Sequence, residues 1–267
     1  MKKILLITLL AAFVAVNCSK VPYTNRTQFS LIPDATITSM AATQYTQFLD
    51  TMKLSTNAAA TKQLKEVGVK ISSAVEKYLR ENGMENRIKE FKWEYNLVES
   101  NEINAWCMPG GKICFYTGIL PYTKDADGIA TVMSHEIAHA VARHGSERMT
   151  QQIAQQAGGL ALSEFIKQKP QQTQTIFLTG YAITSQYGVI LPYSRKHEFE
   201  ADELGLIFMS MAGYNPEKAV DFWTRMSQNS SSNTPQFLST HPSNQARIDN
   251  LKKVMPKAME FYKKGVK

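Results

Sequence analysis

The stretch "MSHEIAHAVARHG", Met133–Gly145, constrains this chain more than any other. The protein has five histidines in 267 residues; three of them fall here, and Glu136 follows the first directly. His135 and His139 are four positions apart, so a helix projects both from one face, one turn above the other. Two imidazole nitrogens placed in that way reach a single metal ion. Glu136 lies about 100° round the helix, outside the ligand pair but close enough to touch a water on that ion. This is the H-E-x-x-H spacing, in which zinc lowers the pKa of its water to about 7 and the glutamate takes the proton. The plain alternative is an amphipathic helix with solvated histidines, and a third ligand decides between the two.

A candidate lies in "SRKHEFEADELG", Ser194–Gly205. Glu198 and Asp202 are four apart and share a helical face, whereas His197 and Glu200 point elsewhere. A carboxylate from Glu198 completes a His-His-Glu zinc set, with Asp202 hydrogen-bonded to a ligand imidazole. Taken alone, the segment reads equally as an acidic surface helix.

The N-terminus has another purpose. Lys2 and Lys3 precede an apolar run, Ile4 to Val16, which is too short to span a bilayer and has the layout of a secretory signal over residues 1–17. Cys18 then resembles the acylated cysteine of a bacterial lipoprotein, although Ala15 and Asn17 stand where the usual pattern has Leu and Gly or Ala. Without Lys2 and Lys3 the net charge falls from +7 to +5 and forms no basic block, so no nucleic-acid partner is expected. The longest charge-free stretch, Pro170–Ser194, carries Gln, Thr, Ser, Gly and Pro throughout, unlike a spanning helix. A lipid on Cys18 is thus the expected link to a membrane.

With Cys18 acylated, Cys107 and Cys114 remain as an even pair in an exported protein. If Gly110-Gly111 forms a two-residue turn, Met108 faces Ile113 and Cys107 faces Cys114, near disulfide range. Residues 18–35 have no period and read as a tether into one domain, 36–267. Within it, helices are expected from Thr36 to Met52 and from Thr56 to Asn82, the latter with a stripe of Leu64, Val67, Ile71, Val75, Tyr78 and Leu79. "FKWEYNLVES" and the hairpin after it give three antiparallel strands. Asp125 or Asp127 caps the histidine helix and Gly145 ends it. Helix follows to Lys167; another starts at a Ser194 cap, and Ser243 caps the last. The fold class is α+β, mainly α, with a small antiparallel sheet edged by a hairpin.

"NAWCMPGGKICFYTGIL", "HEIAHAVARHG", "SRKHEFEADELG" and "THPSNQARI" occur in that order. Together they resemble the gluzincin family of HtpX and the CAAX prenyl proteases, above all its soluble bacterial lipoprotein members, over residues 20–255. The resemblance implies a zincin-like domain and a zinc metallopeptidase with one Zn2+ per chain. His135, His139 and Glu198 would be its ligands, Glu136 its base and Asp202 the carboxylate behind a ligand. The substrates implied are polypeptides, in particular unfolded or misassembled envelope proteins at the periplasmic face of the outer membrane. Prenyl-protein processing is set aside, because spanning helices are lacking.

The strand around Asn104, Ala105 and Trp106 is expected on the rim of the cleft, where an extended substrate adds to it. His241, in "THP", is placed against the zinc cleft with two possible jobs, an oxyanion donor or a fourth ligand that displaces the water as a latch. The neighbouring "NSSSNT" loop would let it move. Arg247 would orient that loop or the substrate backbone. The alternative from another class is a zinc-stabilised, chaperone-like binding lipoprotein with little proteolysis.

Overall fold

The computed structural model describes residues 18–186, 191–228, 235–241 and 245–265. The expected signal peptide, the "NSSSNT" loop and the Ser243 cap lie outside the described residues. The chain divides into two compact units, residues 1–33 with 143–197 and residues 34–142 with 198–267. The stretch read as a tether and the single domain read over 36–267 are distributed over both.

In the unit that contains the N-terminus, β1 (Cys18–Lys20) and β2 (Thr27–Phe29) pair antiparallel, so part of the expected tether is a short ribbon. It is held down by Arg26, whose Nη1 and Nη2 donate to Oε1 and Oε2 of Glu147, each at 2.7 Å. His197 Nε2 lies 2.9 Å from the same carboxylate and stacks on His144, with ring centroids 4.2 Å apart. These partners outweigh burial and hold the Glu147 carboxyl down at about 2. The rest of this unit is mainly a helical hairpin, described below.

The other unit contains α1 (Asp34–Thr51), α2 (Ala58–Glu81), the short α3 (Glu85–Ile88), β3 (Glu94–Val98), β4 (Ala105–Met108) and β5 (Lys112–Tyr116). The expected α2 stripe is its buried face: Leu64, Ile71, Val75 and Leu79 have no exposed surface. Asn57 caps α2 by accepting from the Ala60 amide at 3.0 Å.

The sheet differs from expectation. β4 and β5 form the antiparallel hairpin, but β3 pairs with β5, parallel, giving the order β3-β5-β4. The connection after β3 crosses over β5, so the third strand joins on the far side of the hairpin. Alternation along one strand says nothing of which neighbour it takes.

The turn differs too. Pro109, Gly110 and Gly111 together form the loop, with φ of 83° and 78° at the two glycines, so Met108 pairs with Lys112 and Cys107 with Ile113. A slip of one residue sends a side chain to the opposite face. Cys114 faces Tyr45, Trp106 and Tyr116, Cys107 lies on the other side of the sheet, and the two cysteines form no disulfide. Burial pushes both thiols up, Cys114 to about 12.

A 3₁₀ turn and α4 (Leu120–Thr123) lead to α5 (Ala126–Val141), which carries the H-E-x-x-H residues. Asp125 is its cap, accepting from the Gly128 amide at 2.9 Å. α5 stops at Val141, and the left-handed residue after it is Arg143 (φ 58°); Gly145 instead lies inside α6 (His144–Ile166). After α7 (Gln171–Ser185) comes α8 (Leu191–Met211), which begins upstream of Ser194 and so leaves that residue inside the helix. α9 (Glu217–Gln228), α10 (Gln236–Thr240) and α11 (Gln245–Gly265) complete the chain. The class is α+β, mainly α, as expected. No described helix is long and apolar enough to cross a membrane.

Candidate metal centre

α5 is buried on nearly every side, with α2, β4 and α9 packed against it. His135, Glu136 and His139 are therefore held in the interior, at 2, 3 and 6% exposure. α8 meets α5 at Gly205: a Cβ there would lie 3.1 Å from the His135 amide nitrogen and 3.2 Å from its Cα. Glycine permits that close approach, which brings Glu198 and Asp202 up to the histidines.

The nitrogens and carboxylate converge. His135 Nε2 is 3.2 Å from His139 Nε2 and 3.4 Å from a Glu198 oxygen, which His139 Nε2 approaches on its other oxygen at 3.3 Å. His241, the residue after α10, joins them: its Nδ1 is 3.2 Å from His135 Nε2 and 3.1 Å from Glu198 Oε2. Spacings of 3.1–3.4 Å match the edge of a tetrahedron whose donors lie about 2.0–2.1 Å from its centre, the zinc–nitrogen and zinc–oxygen distance. Three imidazoles and one carboxylate, within 4.8 Å of one another and all buried, suit zinc in number and chemistry. Zinc is the cofactor this set fits.

The surroundings favour positive charge. Burial alone would lower the pKa of His135, but Asp202 and Glu198 raise it to about 9. Burial would raise Glu198, but His241, His139 and His135 hold its carboxyl well below the usual range. Asp202 Oδ1 lies 3.1 Å from His135 Nδ1, on the side of the ring away from the cluster, so that Nε2 is the atom turned toward the other donors. Arg247 is itself buried, at 2% exposure. It donates through Nε and Nη2 to Asp202 at 2.8 and 2.5 Å, lies 3.1 Å from Glu198, and donates to the His241 carbonyl at 3.3 Å.

Three residues here carry no sequence signal of their own: Gly205, Trp223 and Phe237. Trp223 on α9 lies under the Arg247 guanidinium at 3.8 Å and edge-on to His135 at 5.4 Å. Phe237 on α10 stacks on Trp223 at 5.6 Å and lies 4.9 Å from the His241 ring. Its amide donates to the carbonyl of Ile103, just before β4.

Of the expected rim residues, Asn104 and Ala105 are buried at 8 and 1%, and Trp106 packs edge-on to Tyr45 and Phe48. β4 is nevertheless the terminal strand of the sheet, with one edge unpaired among the described strands.

The sequence model of peptidase family M48 matches residues 67–255. This chain belongs to peptidase family M48. Mitochondrial metalloendopeptidase OMA1 of Saccharomyces cerevisiae is 35% identical over 182 residues, 65% of this chain and 50% of that protein. OMA1 of Schizosaccharomyces pombe is 33% identical over 190 residues, 70% of this chain and 53% of that one. The beta-barrel assembly-enhancing protease of Escherichia coli is 27% identical over 162 residues, 58% and 33% of the two chains. This M48 chain thus spans about half the length of these two OMA1 relatives.

Proposed function

We propose that this M48 chain is a zinc-dependent metalloendopeptidase of the bacterial cell envelope. A lipid on Cys18 holds it to the periplasmic face of the outer membrane, and it cleaves unfolded or misassembled envelope proteins. The observation that carries the reading is the convergence of His135, His139 and Glu198 beside Glu136.

Zinc, when bound, supplies a Lewis acid that polarises the scissile carbonyl and acidifies a water. Glu136 takes the proton of the attacking water on a carboxylate oxygen and delivers it to the leaving amine nitrogen. Asp202 keeps the His135 ring in one tautomer. Arg247 holds Asp202, Glu198 and the His241 backbone together, so its work is orientation of the ligands and of the loop. Asn104 and Ala105 present backbone to a substrate strand paired along β4, because their side chains are buried. That mode of binding needs an extended peptide and selects against folded proteins.

His241 acts as a latch in this reading. Its Nδ1 completes a closed donor set, while its Nε2 lies 3.5 Å from Glu136 Oε1, so one ring takes the water's place and covers the base. Withdrawal of the ring opens both positions.

A second reading draws on the same closed set, since structural zinc sites are four-coordinate without a water. In that case the protein is a chaperone-like binding lipoprotein. Incubating casein or a denatured outer-membrane protein with the wild type and Glu136→Gln separates the two. Loss of cleavage by about 100-fold or more with zinc retained supports the peptidase. Equal rates, or no cleavage by either with zinc bound, support the binding protein.

A further inference from the structure

Helices α6 and α7 form an antiparallel hairpin in the unit that also contains Cys18. Tyr181 crosses between them: its hydroxyl donates to the Gln155 carbonyl at 2.9 Å, and a Cβ on Gly158 would collide with it. The outer surface of the hairpin is unusual. Five of the eight large hydrophobic side chains exposed among the described residues lie on it, so the exposure is concentrated in one place. Near the turn, Leu160 and Phe165 on α6 are 74 and 83% exposed, and Ile176 and Phe177 on α7 are 68 and 54% exposed. Ile153, Ala157 and Leu160, at positions i, i+4 and i+7, continue the apolar stripe back along α6, all exposed.

Charge is arranged to match. From Met149 to Ser194 the only charged residues are Glu164, Lys167 and Lys169, in a chain that is 20% charged overall. Lys167 pairs with Glu164, and both lysines sit at the turn, beside the apolar side chains. Exposed Phe, Leu and Ile gathered about the turn of one hairpin, with Lys169 and the Lys167–Glu164 pair beside them, suit insertion into a bilayer interface, apolar side chains in the acyl boundary and the lysine ammonium among anionic headgroups. Neither helix is apolar enough to span.

We infer that the α6–α7 hairpin is a monotopic membrane contact that lies in the interface of an anionic bilayer through Leu160, Phe165, Ile176 and Phe177. This goes beyond a lipid on Cys18 as the sole link to the membrane, and it does not depend on catalysis. An acyl chain tethers a protein at one point and leaves its orientation free, whereas a second contact through the protein surface fixes the orientation relative to the bilayer.

The test uses the full chain carrying Cys18→Ser, so that no acyl group contributes, with Phe177→Trp as a reporter and Leu160→Trp as a second one. Both positions are exposed, and an unchanged melting temperature checks the fold. Vesicles of phosphatidylethanolamine and phosphatidylglycerol carry bromine on the acyl chains, and the parent chain's emission is subtracted. The expected result is a blue shift and at least twofold quenching of the added indole at either position. Leu160→Ser with Phe165→Ser should reduce quenching at position 177 at least threefold. An indole that stays unquenched while the chain floats with vesicles overturns the inference and leaves residues 4–16 as the attachment. A blue shift that grows with protein concentration without lipid, and no quenching with it, overturns it in favour of a second copy on this surface.

Discussion

His241 Nδ1 lies 3.1 Å from Glu198 Oε2, inside the donor set and not at its margin, although the two residues are 43 positions apart in sequence. The oxyanion donor and the latch, both compatible with "THP" alone, differ in the sign of one measurement. His241→Ala is expected to raise basal peptide cleavage, because the fourth position opens to water. Loss of an oxyanion donor would instead lower kcat by about 100-fold. Initial rates on an unstructured peptide decide, and a clear drop ends the latch.

Asp202 lies against His135 and Arg247 against Glu198, so in the proposed site both would act on the metal through those ligands. Asp202→Asn is expected to weaken zinc affinity by about 10–100-fold while the fold persists. Arg247→Met removes the partner of a buried carboxylate and is expected to cost about 3–5 kcal/mol of stability. Zinc competition against a chelator, alongside thermal melts, separates the two effects. Unchanged affinity in Asp202→Asn would remove it from the site.

Glu147 sets an acid limit. Its carboxyl is held down at about 2 by partners that outweigh burial, against an ordinary value of 4.5. A depressed folded-state pKa gives stability that is present above pH 4.5 and lost as pH falls toward 2. That loss amounts to about 3 kcal/mol. Glu147→Gln should be less stable at neutral pH by a similar amount and flatter through that acid window. Melting temperatures against pH measure it; parallel curves for the two proteins would refute the assignment.

Cys107 and Cys114 face opposite sides of the sheet, so both are expected to be thiols in protein from an oxidising compartment. Alkylation after denaturation without reductant should label both, and native protein should react slowly because burial keeps the thiols protonated. A cross-linked peptide joining them by mass would overturn the observed register.

The helices and the local part of the site were legible in the sequence, because they rest on spacings within one turn. His135 and His139, and likewise Glu198 and Asp202, are fixed to one face by four residues of helix, whatever surrounds them. The α2 stripe and the Asp125 cap are local in the same way. What tertiary structure alone decided is strand order, register and the packing that brings distant segments together. β3 chose β5 over β4, and three loop residues instead of two moved Cys107 away from Cys114. Gly205 let two helix backbones meet, and Trp223, Phe237 and Arg247 seated His241 among the ligands. A strand's period of two and a helix's of 3.6 specify which side of an element is apolar; they do not specify its partner or its register. Those depend on packing between residues tens of positions apart, which is why the zinc helix could be read from thirteen residues while His241 stayed open between an oxyanion donor and a fourth ligand.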